Sequence, residues 1–428
     1  MTDLTGERLS LRRQHRLPEF DLGGERVYPD YAGNSILNVP ATVCHWLQVE
    51  PLGAPALDAG LIDALGDGIR HVVLVLMDSL ALHRLQRWMS DGTAPVWNDL
   101  VQQGVLAPLT SIVPSTTSAA MTSLWTGRSP YEHGVMGYEM WMKEYGLIAN
   151  MITLAPAAFN GGTGSLAQAG FHPEAYLPFP TMGQHLQAGG VEAHAFLHYT
   201  IAGSGLSRMI FKETELHPIG SSADLWIEVR RLLEARRSQR LYSWVYWSNL
   251  DHIGHLYGPD SEHAAAEFGA FSQAFETFFL QRLDKDVREQ TAVILLADHG
   301  MVHTEKDAYF DLNQHPGLDR RLHMQPTGEN RLMYLHTRPG QIEAVREYID
   351  RTWLGRFRVV DAGYAAESGI FGSGARHPHL GDRLGELVVF PDEKMYLWWA
   401  PKENPLLGRH GGLHPEEMLV PFLAVRLG

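Results

Sequence analysis

Cysteine is almost absent from this sequence, since Cys44 is the only one in 428 residues. One thiol excludes an internal disulfide and any zinc cluster built from several cysteines, which fits a reducing compartment. Long apolar runs are also absent. No stretch reaches the roughly 20 residues of a membrane-spanning helix, and the first ten residues are polar rather than signal-like. We therefore expect a cytoplasmic protein that does not associate with membranes.

Positive charge is scarce as well. The chain has 35 Lys and Arg against 49 Asp and Glu, a net charge of −14, which argues against stable binding of nucleic acid. Hydrophobic residues make up 45% and charged residues 20% of the chain. This balance suits one large globular domain with an insert, or two domains.

What the sequence does contain is three apolar runs with an aspartate at or just beyond the end. Each run is typical of a buried parallel strand, and open α/β sheets bind ligands at the carboxyl ends of such strands. Taken alone, Asp78 is equally consistent with the cap of the following helix. The runs and their aspartates are 71–77 with Asp78, 241–247 with Asp251, and 291–297 with Asp298.

Two of these aspartates have a histidine close by. His255 follows Asp251 by four residues, which on a helical turn aims both side chains the same way. His299 follows Asp298 directly, and Gly300 then allows a sharp turn. Carboxylates and imidazoles paired in this way are ligands for divalent metal ions, zinc in particular.

Two adjacent hydroxyls, those of Thr116 and Thr117, precede a run with the apolar spacing of a helix that ends near Gly127. A helix N-terminus offers unpaired N–H groups and the positive end of the helix dipole, so it stabilises an anion. A threonine pair on its own is more often a simple helix cap. The aspartates and histidines elsewhere in the chain favour the functional interpretation.

The remaining motifs are less specific. Glycines in 161–164 lack the strand-before, helix-after context of a dinucleotide loop, and residues 136–190 are predicted to form a loop or cap. His377 and His379 lie in a loop without a strand-end acid and are predicted to be surface histidines. A glycine-rich segment near the C-terminus carries His410. Two zinc ions need about six N or O ligands, and the strand-end residues together with His410 supply that number.

In their order along the chain, these motifs resemble those of the alkaline phosphatase superfamily, specifically its type I phosphodiesterase and nucleotide pyrophosphatase branch, from about residue 70 to the C-terminus. Thr117 is favoured over Thr116 because it stands at the family's interval before Gly127. His410 is favoured over His414 because the family's last ligand precedes two glycines. The resemblance implies one metal ion on Asp78, Thr117, Asp298 and His299, and a second on Asp251, His255 and His410.

The resemblance also implies the fold. We expect an α/β protein, an alkaline-phosphatase-like three-layer sandwich with a mainly parallel central sheet and a smaller α+β insert. The catalytic core is expected to comprise residues 1–303 and 386–428, with a strand at 385–390 that returns to it. The insert is expected to comprise residues 304–385.

The function implied by the resemblance is that of a phosphodiesterase or nucleotide pyrophosphatase. Such an enzyme would hydrolyse a small-molecule phosphodiester or nucleotide through a phosphothreonine on Thr117, at a site with two divalent metal ions, expected to be zinc. A phosphonoacetate hydrolase-like phosphonatase or a phosphomonoesterase on the same site is the alternative, and a non-catalytic, metal-stabilised binding module is a third. This sequence has Ala120 where the family has an asparagine that holds a phosphate oxygen. The donors left for that task are the Thr117 N–H, His83, Arg84 and Arg331.

Overall fold

A computed structural model describes residues 2–158 and 162–428. Its strands form two large sheets and a two-stranded ribbon. In chain order the strands are β1 (Thr2–Asp3), β2 (His71–Met77), β3 (Val105–Thr110), β4 (Glu139–Met142), β5 (Leu147–Asn150), β6 (Ala155–Pro156), β7 (Glu192–His198), β8 (Glu215–Ile219), β9 (Leu241–Trp247), β10 (Thr291–Leu296), β11 (Val302–His303), β12 (Thr327–Glu329), β13 (Leu332–Leu335), β14 (Phe357–Asp361), β15 (Leu387–Pro391), β16 (Gly408–Arg409) and β17 (Leu419–Arg426).

The α-helices connect these strands, and within the described ranges none combines the length and apolar character needed to cross a bilayer. In chain order they are α1 (Thr5–Gln14), α2 (Val39–Trp46), α3 (Ala59–Ile62), α4 (Leu82–Ser90), α5 (Pro95–Val101), α6 (Thr117–Thr126), α7 (Pro130–His133), α8 (Pro173–Tyr176), α9 (Met182–Ala188), α10 (Gly205–Ile210), α11 (Ser222–Ala235), α12 (Asn249–Tyr257), α13 (Glu262–Phe275), α14 (Lys285–Arg288), α15 (Pro316–Asp319), α16 (Ile342–Thr352), α17 (Ala362–Glu367), α18 (Leu380–Leu384) and α19 (Pro415–Met418).

The central sheet has the order β1-β3-β17-β10-β2-β9-β7-β8. All of its strand pairs are parallel except those of β17, which runs antiparallel to β10 and β3. Every residue of β2, β9 and β10 is buried, as expected for parallel strands that are covered on both faces. The predicted α/β fold with a mainly parallel central sheet is confirmed.

The second sheet is antiparallel and has the order β14-β15-β13-β12-β4-β5-β6. Its alternating side chains face two different cores. In β13, Leu332 and Tyr334 join the main hydrophobic core, whereas Met333 and Leu335 pack with α16 in a smaller one. This alternation attaches the small sheet to the body of the molecule on one face and to its own helix on the other.

Three local predictions were wrong. Residues 136–190 are not only a loop or cap, because β4, β5 and β6 lie there and join the second sheet. The strand expected to return to the core at 385–390 is β15, which pairs with β13 and β14. Both of its faces are buried, so its apolar run is indistinguishable from that of a parallel core strand. His377 is buried rather than at the surface.

The division of the chain into a core of 1–303 with 386–428 and an insert of 304–385 stays a prediction. Within the glycine cluster 161–164, Gly161 lies outside the described residues.

Candidate active site

The three predicted aspartates meet at one edge of the central sheet. Strands β10, β2 and β9 are adjacent and parallel, so their carboxyl ends lie side by side. Asp78 directly follows β2, Asp298 follows β10 by two residues, and Asp251 lies in the first turn of α12, just after β9. The sheet order alone therefore brings together three carboxylates that are far apart in sequence.

The neighbouring strands bring the threonine and the last histidine to the same edge. β3 ends ahead of the loop that leads to Thr117, the first residue of α6. Because β17 runs antiparallel to its neighbours, its start lies at the edge where they end, and the segment with His410 precedes that start. An antiparallel strand in a parallel sheet thus places a C-terminal histidine beside residues from strand ends.

Of the two adjacent threonines, only Thr117 faces the cluster. Its Oγ1 lies 3.2 Å from Nε2 of His299, and the residue is half-buried. The Thr116 hydroxyl points elsewhere and donates to Oε1 of Glu329 at 2.6 Å. It does not cap α6, and within residues 2–158 and 162–428 no backbone or side-chain acceptor pairs with the N–H groups of Thr117 and Ser118. The helix therefore presents free donors next to the Thr117 hydroxyl.

The three predicted histidines share one orientation. Each places Nδ1 against a backbone carbonyl, which assigns the proton to Nδ1 and leaves the Nε2 lone pair directed at the aspartates. This arrangement is common in metal-binding imidazoles, where an outer acceptor fixes the tautomer and the ring. The pairs are His255 with the Gly408 carbonyl at 2.8 Å, His299 with that of Gly300 at 2.9 Å, and His410 with that of Ser115 at 3.2 Å.

Each of the three aspartates has a carboxylate oxygen that accepts no hydrogen bond from the described residues. Oδ1 of Asp298 accepts from the N–H groups of Ser79 and His299, and Oδ2 of Asp78 accepts from the Tyr246 hydroxyl. The other oxygen of each, and Oδ1 of Asp251, is buried without a donor among the described residues. These free oxygens face the Nε2 atoms, with Asp78 and Asp298 at 3.5 and 3.4 Å from His299, and Asp251 at 3.7 Å from His410.

Burial makes this negative charge costly. It raises the pKa of Asp78, and the neighbouring carboxylates of Asp298 and Asp251 raise it further. Burial acts in the same direction on Asp251, but the facing imidazoles, His255 foremost, outweigh it when they carry a second proton, and lower the pKa of that carboxyl. Burial lowers the pKa of His410 and keeps it neutral. The cluster thus combines carboxylates that repel one another with imidazoles that present lone pairs.

Divalent cations fit this donor set. The ligand atoms of Asp78, Asp298 and His299 lie within 4.8 Å of one another, and so do those of Asp251, His299 and His410. His255 adjoins the second group, with Nε2 at 3.3 Å from Oδ2 of Asp251. A positive ion in each group would satisfy the orphaned oxygens and nitrogens together.

His414 does not belong to the cluster. It precedes α19, where its Nδ1 accepts from the N–H of Glu416 at 3.1 Å. Of the two histidines weighed from the sequence, the structure brings only His410 to the aspartates.

Two of the suggested phosphate-oxygen donors are already engaged. Arg331 forms a bidentate pair with Glu417 at 2.7 and 2.8 Å, and Arg84 binds Asp260 and Glu416. His83 is half exposed beside Glu416. Of the four candidates, the structure places only the Thr117 N–H at the cluster.

Sequence reasoning missed three residues of the site. Tyr246 lies one position before the end of β9 and binds Asp78. Ser79 adopts a positive φ of 62°, which directs its N–H to Asp298. Glu329, at the end of β12, holds the Thr116 hydroxyl. Only Tyr246 carried a signal, as a polar tip in an apolar strand; the other two depend on contacts between distant segments.

Comparison with solved structures identifies the class of fold. Murine ectonucleotide pyrophosphatase/phosphodiesterase 5 superposes with a TM-score of 0.62 at 18% identity, covering 82% of this chain and 87% of that one. Phosphonoacetate hydrolase from Sinorhizobium meliloti 1021, in complex with phosphonoacetate, gives 0.61 at 16% identity, covering 84% and 91%. A further murine structure is of an inactive threonine-to-alanine variant in complex with AMP. The fold is that of the alkaline phosphatase superfamily.

The family follows from the sequence match. The model of the type I phosphodiesterase/nucleotide pyrophosphatase family matches residues 72–413, and the chain belongs to this family. It is a hydrolase that acts on phosphoester bonds. The family is metal-dependent, in keeping with the grouped aspartates and histidines.

Proposed function

We propose that the protein hydrolyses small-molecule phosphate diesters, including nucleotide substrates, through a phosphothreonine on Thr117 at a site with two zinc ions. The observation that carries the proposal is the position of the Thr117 hydroxyl. It lies at the start of α6, 3.2 Å from His299 and within the set of carboxylates and imidazoles at the sheet edge. The structures of a nucleotide pyrophosphatase and of its threonine-to-alanine variant with AMP share this fold and support the substrate class.

Two divalent ions bound by these residues would neutralise the carboxylates, lower the pKa of the Thr117 hydroxyl and offset negative charge on the transferring phosphoryl group. Asp78, Asp298 and His299 would hold one ion together with Thr117, and Asp251, His255 and His410 would hold the other. The Nδ1 contacts with backbone carbonyls keep the imidazoles in the ligand tautomer.

The protein's own part in the reaction begins with Thr117. Its Oγ1 attacks phosphorus and the alcohol or nucleotide leaves, so that one P–O bond forms as another breaks. The N–H groups at the start of α6 donate to a phosphoryl oxygen, in place of the side chain that Ala120 cannot provide. This phosphothreonine keeps the second ester group of the substrate, and water then cleaves its bond to Thr117, which releases the phosphate monoester and restores the hydroxyl.

The charge of the site favours a diester over a monoester. Two divalent ions contribute four positive charges, and Asp78, Asp251, Asp298 and the Thr117 alkoxide contribute four negative ones, so the sum is near zero. Glu329 lies next to Thr116 and adds further negative charge when it ionises. The guanidinium of Arg331, which could have balanced a second phosphate charge, is bound to Glu417.

A phosphonatase is the second candidate, because phosphonoacetate hydrolase superposes on this chain as well as the nucleotide pyrophosphatase does. A phosphomonoesterase and a non-catalytic metal-stabilised module are the remaining alternatives. The preference for diesters is measured as the ratio of kcat/KM for bis(p-nitrophenyl) phosphate to that for p-nitrophenyl phosphate, with phosphonoacetate as a third substrate. A preference for the monoester or for phosphonoacetate would reject the diester assignment.

Thr117→Ala tests the nucleophile. We expect kcat to fall by at least about a thousandfold, and Thr117→Ser to retain part of the activity because it keeps a hydroxyl. The matched control is Thr116→Ala, which removes the adjacent hydroxyl that faces Glu329 and not the cluster, and should stay within about tenfold of the unmodified protein. A phosphorylated enzyme trapped in acid and located at Thr117 by mass spectrometry is the positive observation. Unchanged turnover in Thr117→Ala would exclude this mechanism.

A further inference from the structure

A second group of imidazoles and carboxylates lies at the outer edge of the central sheet, away from the aspartate cluster. β8 is the edge strand and pairs in parallel with β7, so that His194 stands opposite Glu215 and Phe196 opposite His217. Paired residues in neighbouring strands project from the same face, as do residues two apart within a strand. His194, Glu215 and His217 therefore share one face of this strand pair.

The ligand-type atoms of these three residues converge. Nδ1 of His194 lies 3.0 Å from Nε2 of His217. Oε2 of Glu215 is 3.5 Å from the former nitrogen, and Oε1 is 3.9 Å from the latter. With metal–ligand bonds of about 2.0–2.2 Å, such separations correspond to ligand–metal–ligand angles of roughly 90–135°, which bracket the tetrahedral value preferred by zinc.

Without a cation, the three side chains have more lone pairs facing one another than protons to pair with them. Only one proton can lie between the two facing nitrogens of His194 and His217, while the Glu215 carboxylate directs electron pairs at the same point. A cation there would be a common partner for all three. The side chain of His194 is buried, with a relative exposure of 2%, so its nitrogen cannot turn to water instead.

The surroundings of His194 match those of a metal-bound imidazole. Its other nitrogen, Nε2, is buried without a hydrogen-bond partner among the described residues, and Oε2 of Glu192 lies 3.5 Å from it. A carboxylate behind the ring is a usual outer partner of a metal-binding histidine. Arg236 holds that carboxylate oxygen from the far side, with Nε at 3.3 Å. His217 is fixed by stacking on Phe196, with ring centroids 4.4 Å apart.

We propose that His194, Glu215 and His217 form a mononuclear Zn²⁺ site, separate from the candidate active site, that fastens the edge strand β8 to β7. Two imidazole nitrogens and a carboxylate oxygen are a ligand set that zinc accepts, and water would complete the coordination. The Glu215 side chain is largely exposed, so the ion can reach the site from solvent. An edge strand of five residues gains from such a tie because a single neighbour supplies its backbone hydrogen bonds.

The test is a comparison of zinc content between variants of the whole protein. The protein is stripped with a chelator, reloaded with zinc, freed of excess metal and analysed for zinc per chain by mass spectrometry. His217→Gln is expected to hold one zinc fewer than the unmodified protein, with phosphodiester hydrolysis at saturating zinc unchanged. His45→Gln, which removes an exposed histidine on α2, is the matched control and should leave the zinc content unchanged. The difference is informative whatever number of ions binds elsewhere.

A second variant, Glu215→Gln, tests the site independently in case His217→Gln does not fold. Glu215→Gln changes an exposed side chain, so it should fold and yet bind this zinc at least about tenfold more weakly. Its thermal transition should respond less to added zinc than that of the unmodified protein. Equal zinc content in the unmodified protein, His217→Gln and Glu215→Gln would overturn the proposal and leave a hydrogen bond between two histidines.

Discussion

Replacing Asp298 by asparagine should stabilise the metal-free protein while it abolishes function. The amide oxygen can keep the hydrogen bonds that Oδ1 receives from the N–H groups of Ser79 and His299. The amide nitrogen then occupies the position of Oδ2, which has no donor within the described ranges and lies 3.4 Å from Nε2 of His299. Because the His299 proton is held at Nδ1 by the Gly300 carbonyl, Nε2 is an acceptor, and the new N–H can donate to it alongside the Thr117 hydroxyl, whose oxygen lies 3.2 Å from the same nitrogen.

The size of the effect follows from what is removed. A buried polar group without a partner costs about 1–3 kcal/mol, and a charged one more. An unfolding entropy of about 2.1 cal/mol/K per residue gives about 0.9 kcal/mol/K for this chain. The substitution should therefore raise the Tm of the metal-free protein by about 1–3 °C. A gain of this size is unusual, since most substitutions at fully buried positions are destabilising.

The gain should depend on pH in a defined direction. Burial raises the pKa of Asp78 and of Asp298 above the ordinary value. At pH values between the unfolded-state and the folded-state pKa, the folded protein therefore binds more protons than the unfolded chain. Stability is then fully present in acid and is lost as pH rises through the folded-state pKa values. Scanning calorimetry of chelator-treated protein between pH 5 and pH 8 should show the advantage of Asp298→Asn growing with pH.

The control for this experiment is Asp260→Asn. That carboxylate is paired with Arg84 and Arg87, which together outweigh burial and lower its pKa to about 2. Its loss should leave Tm unchanged or lower it. Added zinc should raise the Tm of the unmodified protein and of Asp260→Asn, and that of Asp298→Asn much less. A lower Tm for metal-free Asp298→Asn than for the unmodified protein would refute the idea that the site is an uncompensated cluster of charge.

Three further outcomes are expected. Tyr246→Phe removes the donor to Asp78 and should raise the zinc concentration needed for half-maximal activity by about 10–100-fold. Tyr242→Phe, on the same strand, should leave that concentration unchanged, and equal zinc requirements in the two variants would contradict the role of Tyr246. Burial raises the pKa of Glu329 to about 8, so KM for an anionic diester should rise between about pH 7 and 9 as the Glu329 carboxyl ionises. In Glu329→Gln, KM should stay constant over this range, and parallel pH profiles of the two proteins would contradict the electrostatic effect. Burial lowers the pKa of His255, but the adjacent Asp251 carboxylate outweighs burial and raises it. Activity should therefore fall on acidification as this ligand protonates, and excess zinc should move the fall to lower pH. A pH profile that does not respond to zinc would assign the loss of activity to another group.

Much of the site was predictable because its residues sit at positions that local sequence defines. An apolar run that ends in an acid marks both a buried parallel strand and the edge at which that strand ends. Asp78 and Asp298 follow directly from this pattern, and the spacing of Asp251 and His255 follows from the helical turn that starts α12. The cytoplasmic location, by contrast, stays a prediction.

The tertiary structure decided what depends on strand partners. β15 has the same apolar character as a central strand, and only pairing with β13 and β14 assigns it to the second sheet. From that sheet, Glu329 accepts a hydrogen bond from the Thr116 hydroxyl, and Arg331 donates to Glu417 instead of facing the candidate active site. The sequence by itself determined which side chains stand at the strand ends, because apolar periodicity is local. Which of them face each other, and which are already bound, required the fold, because those contacts join segments far apart in the chain.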